Sequence, residues 1–243
     1  MAGRDQVPDW QREYHARVDP HRGASGLSEL ILGGQDGVVA VLGALLGTAA
    51  AGASARLILA AGVATAFADA ISMAAVAYTS MLAQADVYRS EQEREYRHIQ
   101  NVPTLEREEV RDIFAAKGFK GALLEKIVAT IVADPDVWVA LMMSEEHRLG
   151  PVERPRALRS ALVVGVATMI GALLPVTPFL FMGARAGALA SMAIAAAALF
   201  SIGAYKAHVT VGRPWRAGLE IAVIGLASAL VGWGIGALFG GLG

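Results

Sequence analysis

The sequence predicts an all-α polytopic membrane protein: five transmembrane helices, with a charged helical domain inserted between the second and third. Three observations carry this expectation. Five stretches reach the roughly 20 mostly apolar residues that a helix needs to cross a bilayer core of about 30 Å. A charged block from Asp86 to Arg159 interrupts them. The lysines and arginines fall almost entirely on one side of the resulting topology.

Of the 243 residues 55% are hydrophobic, the formal net charge is −1 and the mean hydropathy is +0.47. A chain this close to neutral lacks the basic face with which a nucleic-acid binder neutralises phosphates, so no nucleic-acid partner is expected. The absence of cysteine excludes disulfides, iron–sulfur ligation and thiolate metal sites. Any metal must therefore be held by oxygen, nitrogen or thioether groups.

Residues 1–29 are polar and carry Arg4, Arg12, Arg17 and Arg22 with no cleavable apolar run behind them, which predicts a cytoplasmic arm rather than a signal peptide. The first two spans, Leu30–Ala51 and Leu57–Ala83, lie within residues 30–85. The other three, Ala161–Met182, Ala186–Lys206 and Ala217–Phe239, lie within 160–243. Glycine and alanine recur inside them, as in Gly43-Ala-Leu-Leu-Gly47 and Gly232-Trp-Gly-Ile-Gly236, where small residues allow close helix packing in lipid. Nineteen of the twenty-one basic residues lie in the arm, the charged block and the loop Lys206–Arg216. By the positive-inside rule the N-terminus and the charged block are cytoplasmic and the C-terminus is outside. An odd number of spans argues against an inverted repeat within one chain, so a symmetric pathway requires a homodimer.

Residues 86–159 are expected to form a cytoplasmic metal-binding domain. No helix breaker occurs from Met81 to Gln100, so the second span should continue as one helix until Val102-Pro103-Thr104. Thr104 is a candidate N-cap for a helix from Leu105 to Lys117, with Arg107 in place of the capping-box glutamate and Gly118 as the stop. A helix from Gly121 to Ala133 ends at Asp134-Pro135, and a last one runs from Asp136 to Leu149 with Pro135 at its first position.

Three groupings on these helices carry candidate chemistry. Glu91, Glu95 and His98 share a face at i, i+4 and i+7; Glu106 and Glu109 are one turn apart; Met142 and Glu146 are spaced i, i+4, with Met143 and His147 one position on. Carboxylate, imidazole and thioether together suit a borderline divalent ion: Fe2+, Mn2+, Co2+ or Zn2+. The competing reading is a solvated face on which Arg94, Arg97, Arg107 and Arg111 offset the glutamates, with the methionines filling a core beside Trp138 and Leu141 and His147 on the surface.

Within the spans, Asp36 stands about two turns from the inner end of the first. A carboxylate at that depth costs a few kcal/mol unless hydrated, paired or protonated, and so marks a candidate transport path. Asp69 and Met73, at i, i+4 in the second span, offer an acid and a thioether on one face, with Thr65 and Ser72 as weaker oxygen donors on or near it. An acid that holds its proton in an apolar setting and gives it up to an arriving cation supplies a physical basis for metal–proton exchange.

Four stretches together resemble the vacuolar iron transporter family: Gly33-Gly-Gln-Asp36-Gly37, Ala68-Asp-Ala-Ile-Ser-Met73, Glu109-Val-Arg-Asp-Ile-Phe114 and Asp134-Pro-Asp-Val-Trp138-Val-Ala-Leu-Met142-Met-Ser-Glu-Glu146. The similarity runs from Leu27 to the end. It implies a five-span dimer with its pathway between protomers, Asp36 and Met73 lining the path, and a cytoplasmic domain collecting divalent iron through Glu95, Glu106, Glu109, Met142 and Glu146. Two positions depart from the family pattern. His98 stands where a further glutamate is usual, and Thr65 where the second span carries a glutamate, with Asp69 on the same helix face as its replacement.

The expected function is therefore export of Fe2+, with Mn2+ as a second substrate, from the cytoplasm in exchange for protons, across a bacterial inner membrane or a vacuolar-type membrane. The alternative is a membrane-bound metal buffer or sensor that binds without transporting, as the missing acid at Thr65 would suit. No resident cofactor and no enzymatic activity are expected: helical di-iron sites repeat Glu-x-x-His on two helices, and only Glu95-Tyr-Arg-His98 has that form.

Overall fold

The structure, a computed structural model, describes residues 25–151 and 154–240. The arginine-bearing arm lies, up to residue 24, outside them. Among the described residues the chain is wholly helical, and it divides into two compact units. One is Ala75–Ala161; the other contains the chain on either side of it.

Helix α1 (Ser25–Ala50) is the centre of the larger unit. Around it stand the first part of α2 (Ala55–Asn101), α6 (Arg154–Val176), α7 (Ala184–Val209) and α8 (Pro214–Gly240). The helical period gives α1 two apolar stripes. Val38, Leu42 and Leu46 pack with Ala195 and Leu199 of α7 and Ala222 and Ala229 of α8. Val41 and Leu45 pack with Ile58 and Ala66 of α2 and Ala172 and Val176 of α6. The outward positions are just as apolar: Ile71, Val166, Leu189, Val231 and Phe239 are all well exposed. A soluble fold does not leave such a surface uncovered, and a bilayer accepts it.

The glycine pairs singled out by sequence meet each other. A Cβ on Gly232 would stand 2.7 Å from the Gly43 carbonyl oxygen, and one on Gly47 would stand 2.9 Å from that of Gly232. A Cβ on Gly236 would run into the Gly47 backbone. Backbone therefore lies against backbone along the α1–α8 seam.

The third span departs from a single helix over Ala161–Met182. Helix α6 starts at Arg154 and passes at Val176 into a 3-10 turn, Thr177–Leu180. Pro175 and Pro178 remove two amide donors there. The Thr177 hydroxyl donates to the Leu174 carbonyl at 2.7 Å, and the buried Ser191 hydroxyl of α7 donates to the Pro175 carbonyl. Among the described residues five helices are thus long and apolar enough to cross a membrane. The pair α4 (Gly121–Val132) and α5 (Pro135–Glu145), bent by 111°, would make a sixth span if counted as one.

The second unit contains the end of α2, α3 (Pro103–Ala116), α4 and α5. Helix α2 continues unbroken to Asn101, as the absence of breakers predicts. The α3 start differs from expectation: Val102 is the N-cap, without a side-chain cap bond, and Pro103 occupies the first turn. Proline there needs no amide partner, so its fixed φ starts the helix and Thr104 is left inside it. Gly118, at φ +96°, turns the chain after α3, a left-handed conformation that favours glycine. Asp134 caps α5, accepting from the amides of Asp136 at 2.9 Å and Val137 at 3.4 Å. Helix α5 stops at Glu145 rather than Leu149.

Val110, Leu124, Val128, Trp138 and Met142 form the core of this unit. Arg111 ties α3 to α4 through a forked pair with Glu125, Nε–Oε1 2.9 Å and Nη2–Oε2 3.1 Å, and also bonds Glu108. Lys117 reaches Glu145 of α5 at 2.6 Å.

Candidate metal centre

Two of the glutamates are buried. Glu95, in the last turns of α2, is 2% exposed, and Glu106, in the first turn of α3, is 3% exposed. Between them stands His98. Its Nδ1 lies 3.2 Å from Glu106 Oε1 and 3.9 Å from Glu95 Oε1. On its other side Glu95 Oε1 meets His147 Nε2 at 3.0 Å. Each glutamate also keeps a buried oxygen, Glu95 Oε2 and Glu106 Oε2, with no hydrogen-bond partner among the described residues. A buried carboxylate oxygen left unpaired is costly, and a cation is the partner it lacks.

Two sets of side chains bring one ligand atom each to within 4.8 Å of one another: Glu95, His98 and Glu106, and Glu95, Glu146 and His147. Three donor atoms each about 2.1 Å from one ion stand at most about 3.6 Å from one another, so either set closes around an ion by drawing its ligand atoms together by up to about 1 Å. The turn at Val102–Pro103 makes the first set possible by folding α3 back beside the end of α2.

The neighbouring residues divide. Glu109, half-buried, lies one turn beyond Glu106 and belongs to neither set, though its charge acts on both Glu106 and Glu146. Met142 is fully buried in the apolar core beside Trp138. Glu91 turns away to pair with Arg94 at 2.9 Å. His147, expected on the surface, is half-buried against Glu95. Spacing puts it at i, i+4 from Met143 but does not indicate its burial, because it lies past the end of α5 where helical periodicity no longer applies.

Burial, reinforced by the charges of Glu109 and Glu95, pushes Glu106 up from 4.5 to about 7. Burial and the charge of Glu109 also raise Glu146, and the hydrogen bond to Glu95 raises His147. In each case the folded protein holds a proton more tightly than the unfolded chain. The stability these protons contribute is therefore present at low pH and lost as pH rises, for Glu106 across the interval from 4.5 to about 7. Metal-free protein should unfold at a lower temperature near pH 8 than near pH 6. Thermal unfolding in detergent with chelator, compared with Glu106→Gln, tests this: the variant should lose much of the pH dependence, and an unchanged slope would refute the assignment.

In the membrane unit, Asp36 is half-buried on α1. With Gln35 it lines an open cleft of about 210 Å3 shared with Ile224, Gly225 and Ser228 of α8. Asp69 and Met73 are half-buried one turn apart on α2, and Asp69 Oδ2 is buried without a hydrogen-bond partner among the described residues. Thr65 is half-buried one turn before Asp69.

Four long apolar helices around a fifth, α1, with ionisable groups on two of the five and a separate carboxylate–imidazole cluster, define a polytopic integral membrane protein equipped to handle cations. The model of the VIT family matches residues 27–237, and the chain belongs to that family. It is 32% identical over 208 residues to vacuolar iron transporter 1 of Eucalyptus grandis, covering 85% of this chain and 84% of that protein. To vacuolar iron transporter 1 of Arabidopsis thaliana it is 34% identical over 203 residues, covering 83% and 81%. Protein CCC1 of Saccharomyces cerevisiae is 25% identical over 216 residues, covering 85% and 67%.

Proposed function

We propose that this protein is a divalent metal ion transporter that carries Fe2+, and Mn2+ as a second ion, out of the cytoplasm in exchange for protons. Family membership and the relatives named vacuolar iron transporters support the transport of metal. The observation that carries the capture step is the pair of buried glutamates, Glu95 and Glu106, each with an oxygen lacking a partner and both within reach of His98.

In this reading residues 86–159, within the unit Ala75–Ala161, are the cytoplasmic metal-binding domain. The ion pairs of Arg111 with Glu125 and of Lys117 with Glu145 suit a water-facing surface. Glu95, His98, Glu106 and Glu146 take the ion, Glu109 keeps the local field negative, and the buried thioether of Met142 bounds the site on its core side. An arriving dication displaces the proton held by Glu106, which couples capture to proton release. Asp36, Asp69 and Met73 then pass the ion through the membrane, with a homodimer providing the symmetric path. The N-terminus and the domain face the cytoplasm and the C-terminus lies outside, in a bacterial inner membrane or a vacuolar-type membrane.

Thr65 favours a second reading, a membrane-bound buffer or sensor, since it offers a hydroxyl rather than a charge on the α2 face. Uptake of radioactive iron and manganese into proteoliposomes under an imposed pH gradient separates the two. Transport predicts accumulation that collapses when a protonophore dissipates the gradient. Stoichiometric binding without accumulation would establish the buffer instead. Glu106→Gln should weaken Fe2+ binding by about tenfold or more, as expected for loss of a charged ligand; calorimetric titration of the full-length protein measures it.

A further inference from the structure

Glu95 belongs to both ligand sets, and the second contains a residue, His147, that lies beyond the end of its helix. His147 follows Glu146 just beyond the last turn of α5, where the chain is tied back on itself. The His147 amide donates to the Met142 carbonyl at 3.2 Å and the Leu149 amide to the Met143 carbonyl at 2.9 Å. Arg148 between them takes φ +54°, a left-handed conformation unfavourable for a side-chain-bearing residue. This turn directs the His147 ring toward Glu95, with its Nε2 3.0 Å from Oε1, while the other Glu95 oxygen stays buried and unpartnered.

We propose that His147 is itself a metal ligand: with Glu95 and Glu146 it forms a second, imidazole-bearing position that shares Glu95 with the Glu95–His98–Glu106 position. The inference rests on the capture reading above and extends it to selectivity. A centre made only of carboxylates suits Mn2+ well, whereas each imidazole favours Co2+ and Zn2+ over Mn2+. With His98 on one side of Glu95 and His147 on the other, the cluster presents a nitrogen donor to each position. Glu95 meets both histidines through Oε1 and keeps Oε2 buried and unpartnered, so its carboxylate has the oxygens to serve both positions.

The test uses the full-length protein in detergent, titrated separately with Co2+, Zn2+ and Mn2+, together with X-ray absorption of the zinc-loaded form to read imidazole scattering. His147→Ala should weaken Co2+ and Zn2+ binding about tenfold, weaken Mn2+ binding less than about threefold, and lower the imidazole scattering per bound zinc. His147→Gln retains a side chain able to hydrogen-bond Glu95 but has no imidazole, so it should behave like the alanine variant while keeping the wild-type unfolding temperature. Equal weakening of all three ions, unchanged imidazole scattering, or wild-type Co2+ affinity in His147→Gln would reduce His147 to a hydrogen-bond partner and overturn the proposal. A wild-type protein that binds none of the three ions would overturn the capture reading instead.

Discussion

Replacing Asp36 with alanine should abolish metal uptake into proteoliposomes while leaving metal binding at Glu95 and Glu106 unchanged. A carboxylate inside a spanning helix costs about 2.5–3.5 kcal/mol to insert. Asp36 lies beside a cleft shared with Gln35 and Ser228, and none of the three is part of an apolar core cluster. In the proposed path, such a side chain is kept to meet the passing ion. The expected initial rate is at least about tenfold below wild type, comparable to losing one charged interaction with the ion. Asp36→Asn, which keeps the shape and removes the charge, should fail to the same degree. Uptake at the wild-type rate in either variant would exclude Asp36 from the path. Loss of binding along with uptake would mean that the substitution had damaged the fold.

Gly236→Leu should destroy the membrane fold itself. A side chain there collides with the backbone of Gly47, and Gly47 in turn lies against Gly232. Overpacking a core costs typically 1–3 kcal/mol when neighbouring side chains can shift. Here the obstacle is main chain, so α1 and α8 must separate and the cost should exceed that range. Gly234, two residues away, has nothing within 4 Å of the position its Cβ would occupy. Gly234→Ala should therefore behave as wild type. Size-exclusion chromatography of detergent extracts before and after heating distinguishes these outcomes, and a monodisperse, heat-resistant Gly236→Leu protein would refute the close α1–α8 contact.

Much of this architecture can be read directly from the residues. Apolar length announces the spans, because crossing a bilayer is a requirement on consecutive residues. The unbroken run from Met81 to Gln100 announces the long α2, and Asp134-Pro135 announces the start of α5, since capping and proline geometry are local. The site was only partly legible. Spacing selected Glu95 and His98 as neighbours on one helix and Glu106 on another, yet it also put Glu91 on the same face, and Glu91 turns away to Arg94. Spacing paired Met142 with Glu146, whereas the structure buries Met142 among Val110, Val128 and Trp138. The break of the third span at Pro175 was also overlooked, because an apolar run does not report which of its amides have partners.

The sequence alone determined the elements: five apolar helices, one charged insert, the acids within the membrane and the absence of any thiolate site. These depend on composition and on neighbours within a turn or two. Only the tertiary structure decided which elements meet. Burial of Glu95 and Glu106 depends on α3 folding back at Val102–Pro103, and the approach of His147 depends on the turn at Arg148. Likewise the face of α1 that receives α8 depends on where Gly43 and Gly47 find Gly232 and Gly236. A helical period assigns each residue to a face, but the identity of the face opposite is set by turns and crossing geometry that join residues dozens of positions apart.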